Sequence, residues 1–294
     1  MIPEKKPYFI SDENNAKLKA LMRIRTRQPI NILITGKHGL GKSMLARQIA
    51  AHWKLDYVPV PICQLQEVGQ LMGHLELVNG ETRFVPSDFT KAIKAPNTVV
   101  HLEELNRPES PKALGELFPI LDDARAIWHE HLGEVKVAPG VVFVGTLNEG
   151  FEYSGIDPMD EALRDRFFMI HLDYFPSKIE GTLVSMLTGL SGEVVDGILE
   201  LVNKLRTNAK EPIHVSTRRM IMMAEMIGEG LGIVDSFKSC IGTDQDQTRL
   251  ESVLIELDSM ASKVMPQLAN WTPKPFDNSN GKSKENDGFG LLTI

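Results

Sequence analysis

The sequence predicts an α/β fold, with a five-stranded parallel sheet carrying helices on both faces, joined to a small all-helical domain. Three observations predict it. Residues 36–43 read Gly-Lys-His-Gly-Leu-Gly-Lys-Ser, a complete G-x-x-x-x-G-K-S loop set between the apolar run Ile32-Leu33-Ile34 and the helix-forming run Met44–Ala50. Five short apolar runs, most of them separated by helical stretches, fill residues 29 to about 173. After Pro176 no strand-like run remains, and only helical stripes follow.

Residues 1–28 read as an entry arm and a helix. Leu18, Leu21, Met22 and Ile24 give the helix an apolar side, while Lys17, Lys19, Arg23, Arg25 and Arg27 make it basic. A solvated face is the preferred reading of those charges, with a patch facing a nucleotide or a nucleic acid as the alternative. Residues 29–175 form the α/β domain, with strands expected at Asn31–Ile34, Tyr57–Val60, Thr98–Leu102, Val141–Gly145 and Phe168–Leu172. Residues 176–265 form the helical domain. Val194, Val195, Ile198, Leu199, Leu201, Val202 and Leu205 make one helical stripe, and Ser216–Met226 and Arg249–Met265 repeat the pattern. Residues 266–294, rich in Asn, Pro, Gly and Lys, read as a disordered tail; its apolar end, Leu291–Ile294, reads as a frayed terminus by default, with a docking peptide as the alternative.

Composition bounds the function. The chain has 294 residues, 42% apolar and 24% charged, the mix of an ordinary globular protein. A net charge of −7 argues against a protein that coats nucleic acid, although a small basic channel between subunits remains compatible with it. Cys63 and Cys240 lie far apart without metal-ligand spacing and read as thiols of a reducing compartment. The N-terminus lacks a signal-peptide apolar core, and no window approaches an 18-residue apolar span. A cytoplasmic protein without a membrane segment is expected.

The loop carries the first half of a nucleotide site. Glycines such as Gly36, Gly39 and Gly41 let backbone N–H groups turn toward phosphates, and the helix N-terminus adds partial positive charge. The cradle runs through Gly36, Lys37, His38, Gly39, Leu40, Gly41, Lys42, Ser43 and Met44. Lys42 is expected to reach the β and γ phosphates, and the Ser43 hydroxyl to coordinate Mg2+. Hydrolysis also needs a carboxylate near the metal and a group that orients water. The strand Thr98–Leu102 ends in Glu103-Glu104, at the sheet edge beside the loop. Glu103 is expected in the Mg2+ shell, and Glu104 as the group that polarises water. The next strand ends in Leu147-Asn148, whose amide can bond a γ-phosphate and a water. Arg164 and Arg166 read either as salt-bridged surface residues or as a charge offered to a neighbouring subunit's phosphate. Ser216-Thr217-Arg218-Arg219 begins a helix with a hydroxyl cap, and an arginine there can reach back to the nucleotide and couple the helical domain to it.

This order of motifs resembles the AAA+ ATPases, over about residues 30–265, and within them the MoxR group with its CbbQ, NorQ, GvpN and CobS-type members. The specific strings are Glu103-Glu104-Leu105-Asn106-Arg107-Pro108, similar to that branch's D-E-I-N-R-A, and Gly145–Gly150 followed by Tyr153-x-Gly155 and Ala162–Phe167. The resemblance implies that Lys42 and Ser43 form the Walker A pair, Glu103 and Glu104 the Walker B pair, Asn148 sensor 1 and Arg218 sensor 2. It implies an arginine finger at Arg166, with Arg164 second, and a boundary role for Arg107. It further implies ATP and Mg2+, a hexameric ring, and a protein client presented by a partner with a von Willebrand factor A domain. Two segments match the branch's insertions: Gln70–Asp88, with a hairpin turn at Val78-Asn79-Gly80-Glu81, and Ala126–Pro139.

One departure is chemical. Glu103 stands where the family has Asp, and the extra methylene moves the carboxylate by roughly 1.5 Å. A water-mediated contact to Mg2+ can absorb this, at the expense of slower hydrolysis. His129 and His131 share a strand face, but no third ligand is near in sequence, so an exposed hairpin is the preferred reading. The leading function is an ATP-driven motor that remodels or assembles a partner protein complex. The alternatives are a nucleic-acid motor of the RuvB or McrB kind, and a slowly hydrolysing nucleotide-gated scaffold.

Overall fold

The computed structural model describes residues 1–148, 159–190, 192–207, 213–241 and 289–294. The chain divides into two compact units, the first holding Met1–Leu172 and the last residues of the chain, the second beginning at Asp173.

The first unit runs β1 (Phe9–Ser11), α1 (Asp12–Ile24), β2 (Asn31–Gly36), α2 (Lys42–Trp53), β3 (Asp56–Pro61), β4 (Gly73–Val78), β5 (Glu81–Pro86), α3 (Asp88–Lys94), β6 (Thr98–Glu103), α4 (Leu117–Leu121), β7 (Ala126–His129), β8 (Gly133–Lys136), β9 (Val142–Asn148), α5 (Glu161–Arg164) and β10 (Phe168–His171). Five of these strands form one parallel sheet in the order β10-β2-β9-β6-β3. All five apolar runs read from the sequence are in it. Every residue of β2 is buried, as are the first six of β9. Such strands read as continuous apolar runs because helices cover both faces. In the structure α2 packs on β2, β3, β6 and β9, and α3 on β3 and β6.

Register brings the strand ends together. Gly36 of β2 pairs opposite Asn148 of β9, Leu102 of β6 opposite Gly145 of β9, and Pro61 of β3 opposite Glu103 of β6. All five strands run parallel, so their C-terminal ends share one edge. At the opposite edge Asn31 stitches the sheet. Its Nδ2 donates to the carbonyls of Leu121 and Arg166 (2.9 Å each), and its Oδ1 accepts from Arg125 Nη1 at 2.8 Å.

Two antiparallel hairpins stand outside the sheet, at the segments read as insertions. Asn79 and Gly80, with φ of 53° and 84°, make the tight turn between β4 and β5. The β7–β8 hairpin touches this one through the Phe84 ring, which lies 4.9 Å from the ring of His129 and 5.0 Å from that of His131. Those two histidines therefore pack on an aromatic ring. Leu75, Leu77 and Trp128 of the hairpins are exposed.

The second unit continues with α6 (Ser177–Thr188), α7 (Gly192–Arg206), α8 (Thr217–Gly228) and α9 (Ile233–Ile241). Its core holds the α7 stripe from Val194 to Leu205 together with Met220, Met223, Ile227 and Phe237. A buried ion pair ties α6 to α7, with Arg206 Nη1 and Nη2 at 2.7 and 2.9 Å from the Glu180 carboxylate, which also accepts from the Thr217 hydroxyl at 2.6 Å. Both charges are matched by several partners, the condition under which a buried pair is tolerated. The expected helix Arg249–Met265 and residues 266–288 of the expected tail lie outside the described residues. Among the described residues no helix is long and apolar enough to cross a membrane.

The end of the chain corrects the sequence reading. Strand β11 (Phe289–Leu291) pairs antiparallel with β1, where a frayed terminus and no further strand were expected. Side-chain burial and amide bonding account for it: Phe9, Ile10 and Leu292 are buried, Leu292 N–H donates to Tyr8 O at 2.8 Å, and Asn15 bonds both Thr293 N–H and its hydroxyl. Leu292→Ala should cost about 2 kcal/mol in urea unfolding. A loss below about 0.5 kcal/mol, the scatter of a surface substitution, would contradict this packing.

Candidate functional site

The loop between β2 and α2 is built by backbone conformations that favour glycine. Gly36, Gly39 and Gly41 have φ of 143°, 75° and 83°. At Gly36 a Cβ would stand 2.3 Å from the Leu172 carbonyl, because the chain leaving β10 crosses the end of β2 there. Gly41 precedes α2 as its left-handed N-cap, and Leu45 N–H closes the first turn on its carbonyl at 2.8 Å. Lys42 is 7% exposed, and its Nζ donates to the carbonyls of Gly36 (2.8 Å) and Lys37 (2.6 Å), so the ammonium is held inside the loop. Leu40 is buried, His38 and Gly39 are half-buried, and Lys37, Ser43 and Met44 are exposed.

Across the sheet edge, β6 delivers Glu103 and the turn after it Glu104. Glu104 has φ of 53°, a left-handed conformation rare for a residue with a side chain. Its N–H reaches Thr146 Oγ1 of β9 at 3.4 Å, and the next N–H, of Leu105, donates to Thr146 O at 2.9 Å. The Glu104 carboxylate accepts from Asn148 Nδ2 at 3.4 Å and from Arg107 Nη1 at 3.4 Å. Asn106 Nδ2 donates to the Asn148 carbonyl at 3.0 Å, while its Oδ1 is buried without a hydrogen-bond partner. Burial, then the neighbouring Glu104 charge, raises the Glu103 carboxyl above the usual carboxylate range.

These residues suit a nucleotide and Mg2+. The loop opens N–H groups at glycine conformations beside a buried ammonium, and Ser43, Glu103 and Glu104 offer only hard oxygen donors, the kind Mg2+ takes. With a nucleotide held, the arrangement can neutralise phosphate charge through Lys42 and present a carboxylate and an amide to one water.

Comparison with known proteins supplies the family. Residues 31–167 match the family described as "AAA domain (dynein-related subfamily)". A Thauera aromatica protein named "Putative chaperone BssE" is 42% identical over 257 residues, covering 87% of this chain and 89% of that protein. The chain belongs to the AAA+ ATPase family. An uncharacterised protein of Staphylococcus epidermidis is 31% identical over 188 residues, covering 62% of this AAA+ chain and 70% of that protein. Two solved structures of Thermotoga maritima RuvB variants share the fold. One has a TM-score of 0.54 at 15% identity, covering 87% of this chain and 82% of that one; the other has 0.51 at 16%, covering 85% and 69%.

The AAA+ frame brings some sequence-predicted residues together and leaves others apart. Glu104 and Asn148 meet, and Glu103 lies one residue away. Arg166 is engaged within its own chain: Nη2 pairs with Asp122 at 3.0 Å, Nη1 donates to Ala162 O at 2.5 Å, and the guanidinium lies 5.2 Å over the Phe118 ring. Arg164 is exposed. Arg218 is exposed in the first turn of α8, whose Ser216 cap accepts from Arg219 N–H at 3.2 Å. Glu149, Gly150, Tyr153 and Gly155 lie outside the described residues.

Sequence reasoning missed three contributors. Tyr8, from the N-terminal arm, lays its ring against Gly41, 3.4 Å from where a Cβ would sit. His101 is fully buried in β6, with Nδ1 2.7 Å from the Tyr57 hydroxyl and Nε2 3.1 Å from Thr146 Oγ1. Thr146 completes the set. A histidine amid Val99, Val100 and Leu102 was the available signal, since a polar ring in a buried strand requires partners.

Burial pushes His101 down to about 4, against about 6.5 in an unfolded chain. Unfolding therefore takes up a proton between those values. The stability is present above about pH 6.5 and lost as pH falls toward 4, by about 3 kcal/mol in all. The loss in urea-unfolding stability between pH 7 and pH 4.5 should shrink in His101→Gln; an equal loss in both proteins would contradict it.

Proposed function

We propose that this chain is a MoxR-type AAA+ ATPase that couples ATP hydrolysis to the remodelling, activation or assembly of a partner protein complex. The observation that carries the reading is the meeting of Glu104 with Asn148 on the sheet edge where Gly36, the first residue of the phosphate loop, pairs opposite Asn148. The 42% identity with a protein whose printed name contains chaperone supports a protein client. We also propose domain limits at 29–175 for the nucleotide-binding part and 176–265 for the helical lid.

In this reading residues 36–44 cradle the phosphates and Lys42 neutralises their charge. Ser43 and Glu103 would hold Mg2+, which when bound supplies further charge neutralisation on the phosphate oxygens. Glu104 polarises the attacking water and accepts its proton, while Asn148 orients that water through the amide that now bonds Glu104. Arg218 reports nucleotide state to the helical unit. An arginine of the next subunit, in a ring of six, completes the charge around the phosphate. Arg166 would leave Asp122, an exposed partner, to do so, whereas Arg164 is exposed already. A partner with a von Willebrand factor A domain is the client adaptor that the family resemblance implies. The net charge of −7 favours a protein client over a nucleic acid.

Glu104→Gln should keep nucleotide affinity and lose turnover by about 100-fold or more, as removal of a general base does. Equal loss of both would contradict the role. Specific activity should rise with protein concentration, and Arg166→Ala or Arg164→Ala should lower it by about 1,000-fold with binding intact. Turnover independent of concentration and unchanged in both arginine variants would rule out a shared site.

A further inference from the structure

We propose that His101 is a positioning residue for the acidic pair: through Tyr57 and Thr146 it sets the conformation in which Glu103 and Glu104 meet Mg2+ and water. The inference rests on the nucleotide reading above and deepens it.

The starting point is an imidazole without exposure, in a strand whose neighbours Val99, Val100 and Leu102 are equally buried and apolar. A residue that served only packing there would be aliphatic. This one bridges three strands, because Tyr57 lies on β3, His101 on β6 and Thr146 on β9. Both ring nitrogens are partnered, so the ring has one orientation.

Hydrogen counting assigns the tautomer. Thr146 Oγ1 faces the Glu104 N–H, so it acts as an acceptor there, and its own hydrogen needs an acceptor in a site 3% exposed. His101 Nε2 supplies one if it carries no proton. The imidazole proton then sits on Nδ1, which faces the Tyr57 oxygen at 2.7 Å and the Glu103 carboxylate at 3.5 Å. That proton goes to the Tyr57 oxygen, and the ring edge that carries it faces the Glu103 carboxylate across 3.5 Å. The other tautomer would leave the buried Thr146 hydroxyl hydrogen without a partner.

The same threonine holds the next residue. Glu104 sits at φ 53°, a conformation that persists only where surrounding groups fix it. Thr146 supplies two of those groups, its hydroxyl for the Glu104 N–H and its carbonyl for the Leu105 N–H. His101 thus acts on Glu103 through its Nδ1 side and on the Glu104 backbone through its Nε2 side. Tyr57 closes the outer end, with the Arg47 guanidinium 5.9 Å over its ring. The polar contacts of the relay run to Glu103 and to the Glu104–Leu105 backbone, so it should govern metal engagement and leave phosphate capture alone.

The test is binding of N-methylanthraniloyl-ATP to the full-length chain, first in EDTA and then across a Mg2+ titration. The variants are His101→Leu, Thr146→Val, Thr146→Ser and Tyr57→Phe. His101→Leu and Thr146→Val should keep the EDTA affinity within twofold of wild type and raise the half-saturating Mg2+ concentration at least tenfold. Thr146→Ser, which keeps the hydroxyl, should match wild type, and Tyr57→Phe should fall between. If His101→Leu does not fold, Thr146→Val and Tyr57→Phe decide the matter. An unchanged Mg2+ midpoint overturns the proposal. So does a parallel weakening with and without Mg2+, which would mean general disruption, or a Thr146→Ser protein as impaired as Thr146→Val. A wild-type chain that binds no nucleotide would instead sink the nucleotide reading and this inference with it.

Discussion

Parallel pairing of β2, β9 and β6 is the constraint on which the rest depends. The three strands are buried on both faces and fixed in register from Asn31 opposite Phe143 to Gly36 opposite Asn148, and from Val99 opposite Val142 to Leu102 opposite Gly145. Their direction is common, so the point at which each leaves the apolar core lies on one edge. A slip of one residue would turn each strand's side chains to the opposite face and withdraw Asn148 from Gly36. The polar residues of the site therefore sit where they do because the apolar residues before them cannot move.

The sheet is fastened by polar stitches at both edges. At one, Asn31 satisfies two carbonyls and is itself met by Arg125, whose guanidinium lies 5.1 Å over the Phe143 ring and is pushed down to about 10 by burial. At the other, His101 joins Tyr57 to Thr146. Each stitch places a polar group where burial is costly unless its hydrogen bonds are made. Their placement differs in consequence. The Asn31 stitch ties down the strand starts. The His101 stitch lies directly behind Glu103 and Glu104, and Tyr57, pushed up to about 12 mainly by burial, stays protonated beside Glu103.

Much of this was legible in the sequence because it depends on local pattern. Continuous apolar runs such as Ile32–Ile34 and Val141–Val144 mark strands covered on both sides, and the glycine spacing of residues 36–43 marks the loop. The strands extend beyond the predicted ends at Gly36, Glu103 and Asn148 because hydrogen bonding to a neighbouring strand continues after hydrophobicity stops. What the pattern hides is contact between distant segments. A three-residue strand at 289–291 has no periodicity of its own, and it exists only because β1 offers it an edge. The pairing of Arg166 with Asp122, the contact of Phe84 with His129 and His131, and the packing of Tyr8 on Gly41 are likewise set by folding. His101 left a signal, a polar ring within an apolar run, that the sequence reading passed over, and its partners left none.

The nucleotide reading stands or falls with residues 36–43, presented by β2 at this edge, as a site for phosphates. Calorimetric titration of ATP with Mg2+ into the wild-type chain and into Lys42→Ala tests it most directly. Binding to the wild type should be saturable, and affinity should fall tenfold or more when the buried ammonium is removed from the loop. Absence of binding to the wild type, or equal affinity in the two proteins, would contradict it.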